Sequence, residues 1–125
     1  MNEKILVIDR EMDIRKTLET LLRKEGYQVR SASGGDEAVD TFKSEPFDLV
    51  IMDINMPVTT GLKVMRNIKK LDEEIEIIVL TGSVSVYSAI QALRHNGAFD
   101  FLSKPLKGLD ELTTTMKLAL EKRKR

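Results

Sequence analysis

Four apolar, β-favouring runs each deliver a polar residue at their carboxyl end, and this recurrence constrains the fold more than any other feature of the chain. Asp9 follows Ile5-Leu6-Val7-Ile8, Asp53 follows Leu49-Val50-Ile51-Met52, Thr81 follows Ile77-Ile78-Val79-Leu80, and Lys104 follows Phe99-Asp100-Phe101-Leu102-Ser103. Strands buried on both faces read as continuous apolar runs, the signature of a parallel sheet. Open α/β sheets bind ligands outside the carboxyl ends of their strands, so two carboxylates, a hydroxyl and an ammonium are expected to converge there. That set suits a phosphoryl group. A carboxylate can act as nucleophile and form an aspartyl-phosphate, while a cation, a hydroxyl and a metal ion held by other carboxylates neutralise the phosphoryl oxygens in transfer.

Between the runs the apolar period becomes helical, which is the pattern of repeated βαβ units with helices on both faces of a five-stranded sheet. Ile14, Leu18, Leu21 and Leu22 make the stripe of a first helix, and Gly26 stands where a helix ends in the left-handed conformation. Tyr27 to Ser31 alternates like a strand with one exposed face, and Ser33 followed by Asp36 reads as the cap of a second helix running to about Ser44. Pro46 precedes the third strand, Phe47 to Asp53, and Thr60-Gly61 opens a helix carrying Leu62, Met65 and Ile68. Glu76 to Thr81 is predicted as strand four. Ser85 caps a fourth helix with Val86, Ile90 and Leu93 inward, ended by Gly97. Phe99 to Ser103 is strand five, and a fifth helix shows Leu109, Leu112, Met116 and Ala119 inward with Thr113, Thr114 and Lys117 outside.

A length of 125 residues fits one domain, 1–125, with enough apolar surface to fold unaided. Twenty Lys and Arg balance twenty Asp and Glu, which gives no argument for direct nucleic-acid contact or for an anionic membrane. The terminal Lys122-Arg123-Lys124-Arg125 complements the carboxyl end of the last helix. No cysteine is present, which excludes disulfides and thiolate metal sites. With no long apolar stretch and no signal-peptide pattern, a cytoplasmic module is the expectation.

Asp53-Ile54-Asn55-Met56-Pro57, followed by Gly61, resembles the phosphoacceptor loop of two-component response-regulator receiver domains. The first acidic loop, Thr81-Gly82 and Lys104-Pro105 fall at the family's places in the same order, so the resemblance covers essentially the whole chain. It implies a flavodoxin-like, doubly wound α/β fold with strand order 2-1-3-4-5. It also implies a phosphoacceptor rather than an enzyme in its own right: Asp53 takes a phosphoryl group from a histidine kinase or phosphotransfer protein in a phosphorelay. Thr81 and Lys104 would contact the phosphoryl oxygens. Phe101 stands where the family carries an aromatic switch coupled to Thr81, and it reads equally well as core. Asn55 and Ser83 would flank the site, and the peptide before Pro105 is cis in this family. The implied output face comprises helix four, strand five and helix five, which would meet an effector domain, a partner or a second copy in a homodimer.

One position departs from the family's pattern. Strand one normally ends in two adjacent acids that help to hold Mg²⁺, whereas this chain reads Val7-Ile8-Asp9-Arg10-Glu11. The metal set implied is then Asp9, Asp53 and the Asn55 backbone carbonyl, with Glu11 as a further candidate and a weakened affinity for Mg²⁺. Two arrangements follow. Either Arg10 turns outward and Mg²⁺ still binds, or its guanidinium takes the metal's place beside Asp53. The second would make the domain a pseudo-receiver, an interaction module indifferent to phosphorylation. An Asp-nucleophile phosphatase would want an acid two residues past Asp53, where Asn55 stands. A flavin site would want its phosphate loop after strand one, whereas the hydroxyl-rich Thr81 to Ser85 follows strand four.

Overall fold

The computed structural model describes residues 2–53, 61–81, 98–103 and 109–123. Five parallel strands, β1 (Lys4–Ile8), β2 (Gln28–Ala32), β3 (Leu49–Met52), β4 (Glu76–Thr81) and β5 (Ala98–Ser103), form one sheet in the order β2-β1-β3-β4-β5. Among the described residues, α1 (Met12–Lys24), α2 (Gly35–Ser44) and α3 (Gly61–Leu71) connect the strands, and a C-terminal helix spans Leu109–Arg123. This is the doubly wound, flavodoxin-like arrangement expected. The helix predicted after Ser85 lies outside the described residues.

Alternation along the strands divides the core into two layers. Leu6, Ile8, Val50, Met52, Ile77 and Val79 face α2 and α3, where Ala38, Phe42, Val64, Met65 and Ile68 meet them. Ile5, Val7, Leu49, Ile51, Ile78 and Leu80 face α1 and the C-terminal helix, against Leu18, Leu22, Leu112, Met116 and Ala119. Because β1, β3 and β4 are covered on both faces, every residue from Ile5 to Ile8 and from Leu49 to Met52 is buried, which is why these runs are continuously apolar. Gly26 adopts φ +95°, and its N–H donates to the Arg23 carbonyl at 3.1 Å, ending α1 as its sequence position implies. Among the described residues no helix is long and apolar enough to cross a membrane.

Several boundaries and faces differ from the sequence reading. Gly34, rather than Ser33, is the N-cap of α2, and it makes no side-chain cap bond. The helix begins one residue later than predicted, so the Ser33 hydroxyl donates to Glu37 Oε2 at 2.9 Å instead of serving the backbone. Strand β2 runs from Gln28 to Ala32, shifted by one, and β5 begins at Ala98. Thr113 is buried, not outside: its hydroxyl donates to the Asp110 carbonyl at 3.3 Å, so the polar group is satisfied within its own helix. Thr115 does the same to Glu111 at 2.9 Å.

The pairing of β4 with β5 contains a bulge. Ile77 stands opposite Ala98 but Ile78 stands opposite Asp100, which gives β5 one extra residue. Phe99 and Phe101, two apart and nominally on one face, therefore pack on opposite layers, Phe99 against the α1 side and Phe101 against the α2 and α3 side. The Asp100 carboxylate accepts the Phe101 N–H at 2.8 Å beside the disrupted ladder.

Candidate functional site

The ladder of the sheet places the two carboxylates side by side. Ile8 and Met52 are register partners, and the β1–β3 ladder closes with the Asp53 N–H donating to the Ile8 carbonyl at 2.9 Å. On the other side of β1 the Asp9 N–H donates to the Ala32 carbonyl at 3.1 Å. Asp9 and Asp53 are thus each the first residue beyond neighbouring strands, whose axes lie about 4.8 Å apart. Both are buried, with only 2% and 7% of their surface exposed. Buried carboxylates so close repel one another unless donors or cations compensate, and neither of these is without a partner.

The loop leaving β1 is an Asx-turn. Asp9 Oδ1 accepts the Glu11 N–H at 2.9 Å, a side chain substituting for a backbone turn two residues on. Arg10 occupies the tip of that turn and is exposed to solvent, as is Glu11. Arg15, one turn into α1, brings Nη1 within 2.6 Å of the Asp9 carbonyl and braces the loop. Sequence reasoning passed over Arg15. The signal available was its charge: a cation near a helix N-terminus opposes the macrodipole and so calls for a local acceptor.

Thr81 closes β4 opposite Ser103 of β5. Met52 aligns with Val79, so Thr81 lies one residue further along than Asp53 at the same sheet edge. Phe101 is half-buried against the α2 and α3 layer. Lys104, Pro105, Asn55, Ser83 and the candidate partner face over residues 84–97 lie outside the described residues. Two buried carboxylates at adjacent strand ends fit the needs of a small hard dication, which is commonly held by one or two carboxylates with water completing the shell. Among the described residues no three His, Asp or Glu side chains form a group that could hold a metal by themselves.

An open parallel α/β sheet with an acid pair beyond the carboxyl ends of β1 and β3 defines the class of protein. The response regulator receiver domain profile matches residues 5–117, and the chain belongs to that family. It is 35% identical over 117 residues to sporulation initiation phosphotransferase F of Bacillus subtilis, covering 94% of this chain and 93% of that protein. It is 37% identical over 119 residues to the transcriptional regulatory protein ZraR of Escherichia coli, covering 95% of this chain but only about a quarter (26%) of ZraR. Among solved structures, a receiver domain protein from Clostridium thermocellum superposes with a TM-score of 0.91 at 34% identity, over 98% of this chain and 97% of that one. The response regulator TrrA of Thermotoga maritima, solved in complex with Mg²⁺-BeF, gives 0.83 at 36% identity, over 94% and 98%.

Proposed function

We propose that residues 1–125 act as a phosphoacceptor receiver domain in which Asp53 takes a phosphoryl group from the phosphohistidine of a sensor kinase or phosphotransfer protein. The observation that carries this reading is the pair of buried carboxylates at adjacent strand ends, Asp9 and Asp53, in a chain of this family. A carboxylate oxygen of Asp53 attacks phosphorus, a P–O bond forms as the P–N bond breaks, and the imidazole leaves as the neutral partner once protonated. Asp9 Oδ1 is fixed by the Glu11 N–H, and Arg15 holds the loop that carries it, so this acid is oriented before any ligand arrives. Asp9, Asp53 and the Asn55 carbonyl would hold Mg²⁺, which when bound neutralises charge on the phosphoryl oxygens. The Thr81 hydroxyl and the Lys104 ammonium would meet those oxygens from the β4 and β5 side.

Phosphorylation would then shift an equilibrium between inactive and active surfaces, with Phe101 following Thr81. The surface is the face over helix four, strand five and helix five, which meets an effector domain or partner. Exposure of Arg10 favours a working acceptor over the pseudo-receiver, because a solvated guanidinium leaves the acid pair to the metal. Incubation with a small acyl-phosphate donor, with and without Mg²⁺, tests the reading by intact mass. One phosphoryl adduct is expected on the parent, dependent on Mg²⁺, and none on Asp53→Asn. An adduct retained in the variant, or none on the parent at any Mg²⁺ concentration, overturns it.

A further inference from the structure

Arg10 directly follows Asp9 in the chain, yet Arg10 is exposed to solvent while Asp9 and Asp53 are buried. The opposite arrangement has a strong electrostatic incentive, because paired buried carboxylates favour a nearby cation. A guanidinium drawn in beside them would occupy the place of a dication. Its outward position therefore rests on the path of the backbone through residues 9–11.

That path is pinned at each step. The Asp9 N–H donates to the Ala32 carbonyl at 3.1 Å, and Asp9 Oδ1 accepts the Glu11 N–H at 2.9 Å. The carbonyls on either side of Arg10 are both held by one residue. Arg15 Nη1 donates to the Asp9 carbonyl at 2.6 Å, and the Arg15 N–H donates to the Glu11 carbonyl at 3.1 Å as α1 begins. The backbone bond is common to any helix start, but the side-chain bond is particular to this arginine. It is charge-assisted and half-buried. Because the peptide unit is planar, holding the Asp9 carbonyl also fixes the Arg10 nitrogen and the direction in which the Arg10 side chain leaves.

We propose that Arg15 is a positioning residue that keeps the Arg10 guanidinium out of the Asp9–Asp53 site, leaving the acid pair open to Mg²⁺ although a cation stands next to one of its ligands. The inference rests on the reading that these acids hold Mg²⁺ and names the residue on which that reading depends. Arg15 acts through the Asp9–Arg10 peptide. Two simpler roles behave differently. Acting only by its charge, Arg15 would repel the ion, and its loss would tighten Mg²⁺ binding whatever stood at position 10. Serving only the fold of the loop, its loss would weaken binding equally with Arg10 present or absent.

Mg²⁺ titrations of the full chain followed by amide NMR, on the parent, Arg15→Met, Arg10→Ala and the double variant, test it. Met keeps the helix propensity of Arg but removes the donors. Arg15→Met should weaken Mg²⁺ binding by about tenfold, the low end of the loss seen when a residue supporting a metal ligand is removed. Arg15→Lys, which keeps a charged donor, should recover most of it. In the Arg10→Ala background the same Arg15→Met change should alter affinity by less than about twofold, so the two sites are coupled. A second readout needs no metal: the Arg10 Nε–H, assigned by its absence in Arg10→Ala, should exchange freely with water in the parent and become protected in Arg15→Met as it meets a carboxylate. Equal weakening in both backgrounds, tightening in both, or an Arg10 Nε–H equally exposed with and without Arg15 overturns the proposal. A parent that binds no Mg²⁺, with that signal still protected in Arg15→Met, overturns the metal site and supports the role of Arg15.

Discussion

Arg10→Asp should tighten Mg²⁺ binding by at least about tenfold, or 1.4 kcal/mol. The substitution changes the charge at the tip of the Asx-turn by two units, facing a divalent ion between Asp9 and Asp53. Arg10 is exposed, so the field it exerts passes largely through solvent. With its charge roughly 8 Å from the ion in a water-like dielectric, the change amounts to about 2 kcal/mol. Screening at physiological ionic strength, where the Debye length is itself about 8 Å, brings that below about 1 kcal/mol. The rest must come from the new carboxylate acting as a hard oxygen ligand. Apo stability should move the other way: a third carboxylate beside two buried ones adds repulsion that Mg²⁺ removes by binding the native state. The chain has no Trp, so amide NMR titration or calorimetry is the assay, with denaturation in the presence and absence of Mg²⁺ as the companion. Equal affinity in parent and variant would mean that position 10 neither repels the ion nor reaches it.

Ile68→Ala, which empties a fully buried position on α3, should cost about 2–5 kcal/mol in urea denaturation, against less than about 0.5 kcal/mol for Arg66→Ala on the exposed face. Lys104→Ala should blunt the amide shifts that a phosphoryl mimic induces over residues 84–106 while changing stability by less than about 1 kcal/mol; a larger loss points to a structural role. Glu45 is held below the usual carboxylate range, chiefly by the hydrogen bond from Lys4, against an opposing effect of burial, with the Arg30 charge assisting. A lowered folded-state pKa stabilises above the unfolded-state value and is lost as pH falls through the folded one. The parent should therefore exceed Glu45→Gln in urea midpoint at neutral pH, and the gap should close in acid; a gap independent of pH refutes the pairing as its cause.

The apolar runs determined the sheet. A strand covered on both faces has no position where a polar residue is cheap, so Ile5 to Ile8 and Leu49 to Met52 announced both their burial and, by the polar residue that followed each, the sheet edge at which Asp9 and Asp53 emerge. Helix stripes were legible for the same reason, and Gly26 marked the end of α1 because a positive φ suits few other residues. Strand pairing and hydrogen bonding, by contrast, decided what periodicity could not. Phe99 and Phe101 read as one face in any count of two, yet the extra residue in β5 turns them to opposite layers, and only pairing with β4 reveals it. Thr113 was assigned to solvent by its hydroxyl, although a bond to its own helix's carbonyl made burial affordable. The sequence left open whether Arg10 turned outward or sat beside Asp53, and the turn closed by Asp9 Oδ1 and the Glu11 N–H places it at an exposed tip. Arg15 showed no role until α1 packed close enough for its guanidinium to reach the Asp9 carbonyl. Local pattern follows from how each residue prefers to be solvated, whereas these four outcomes depend on which groups the folded chain brings within bonding distance.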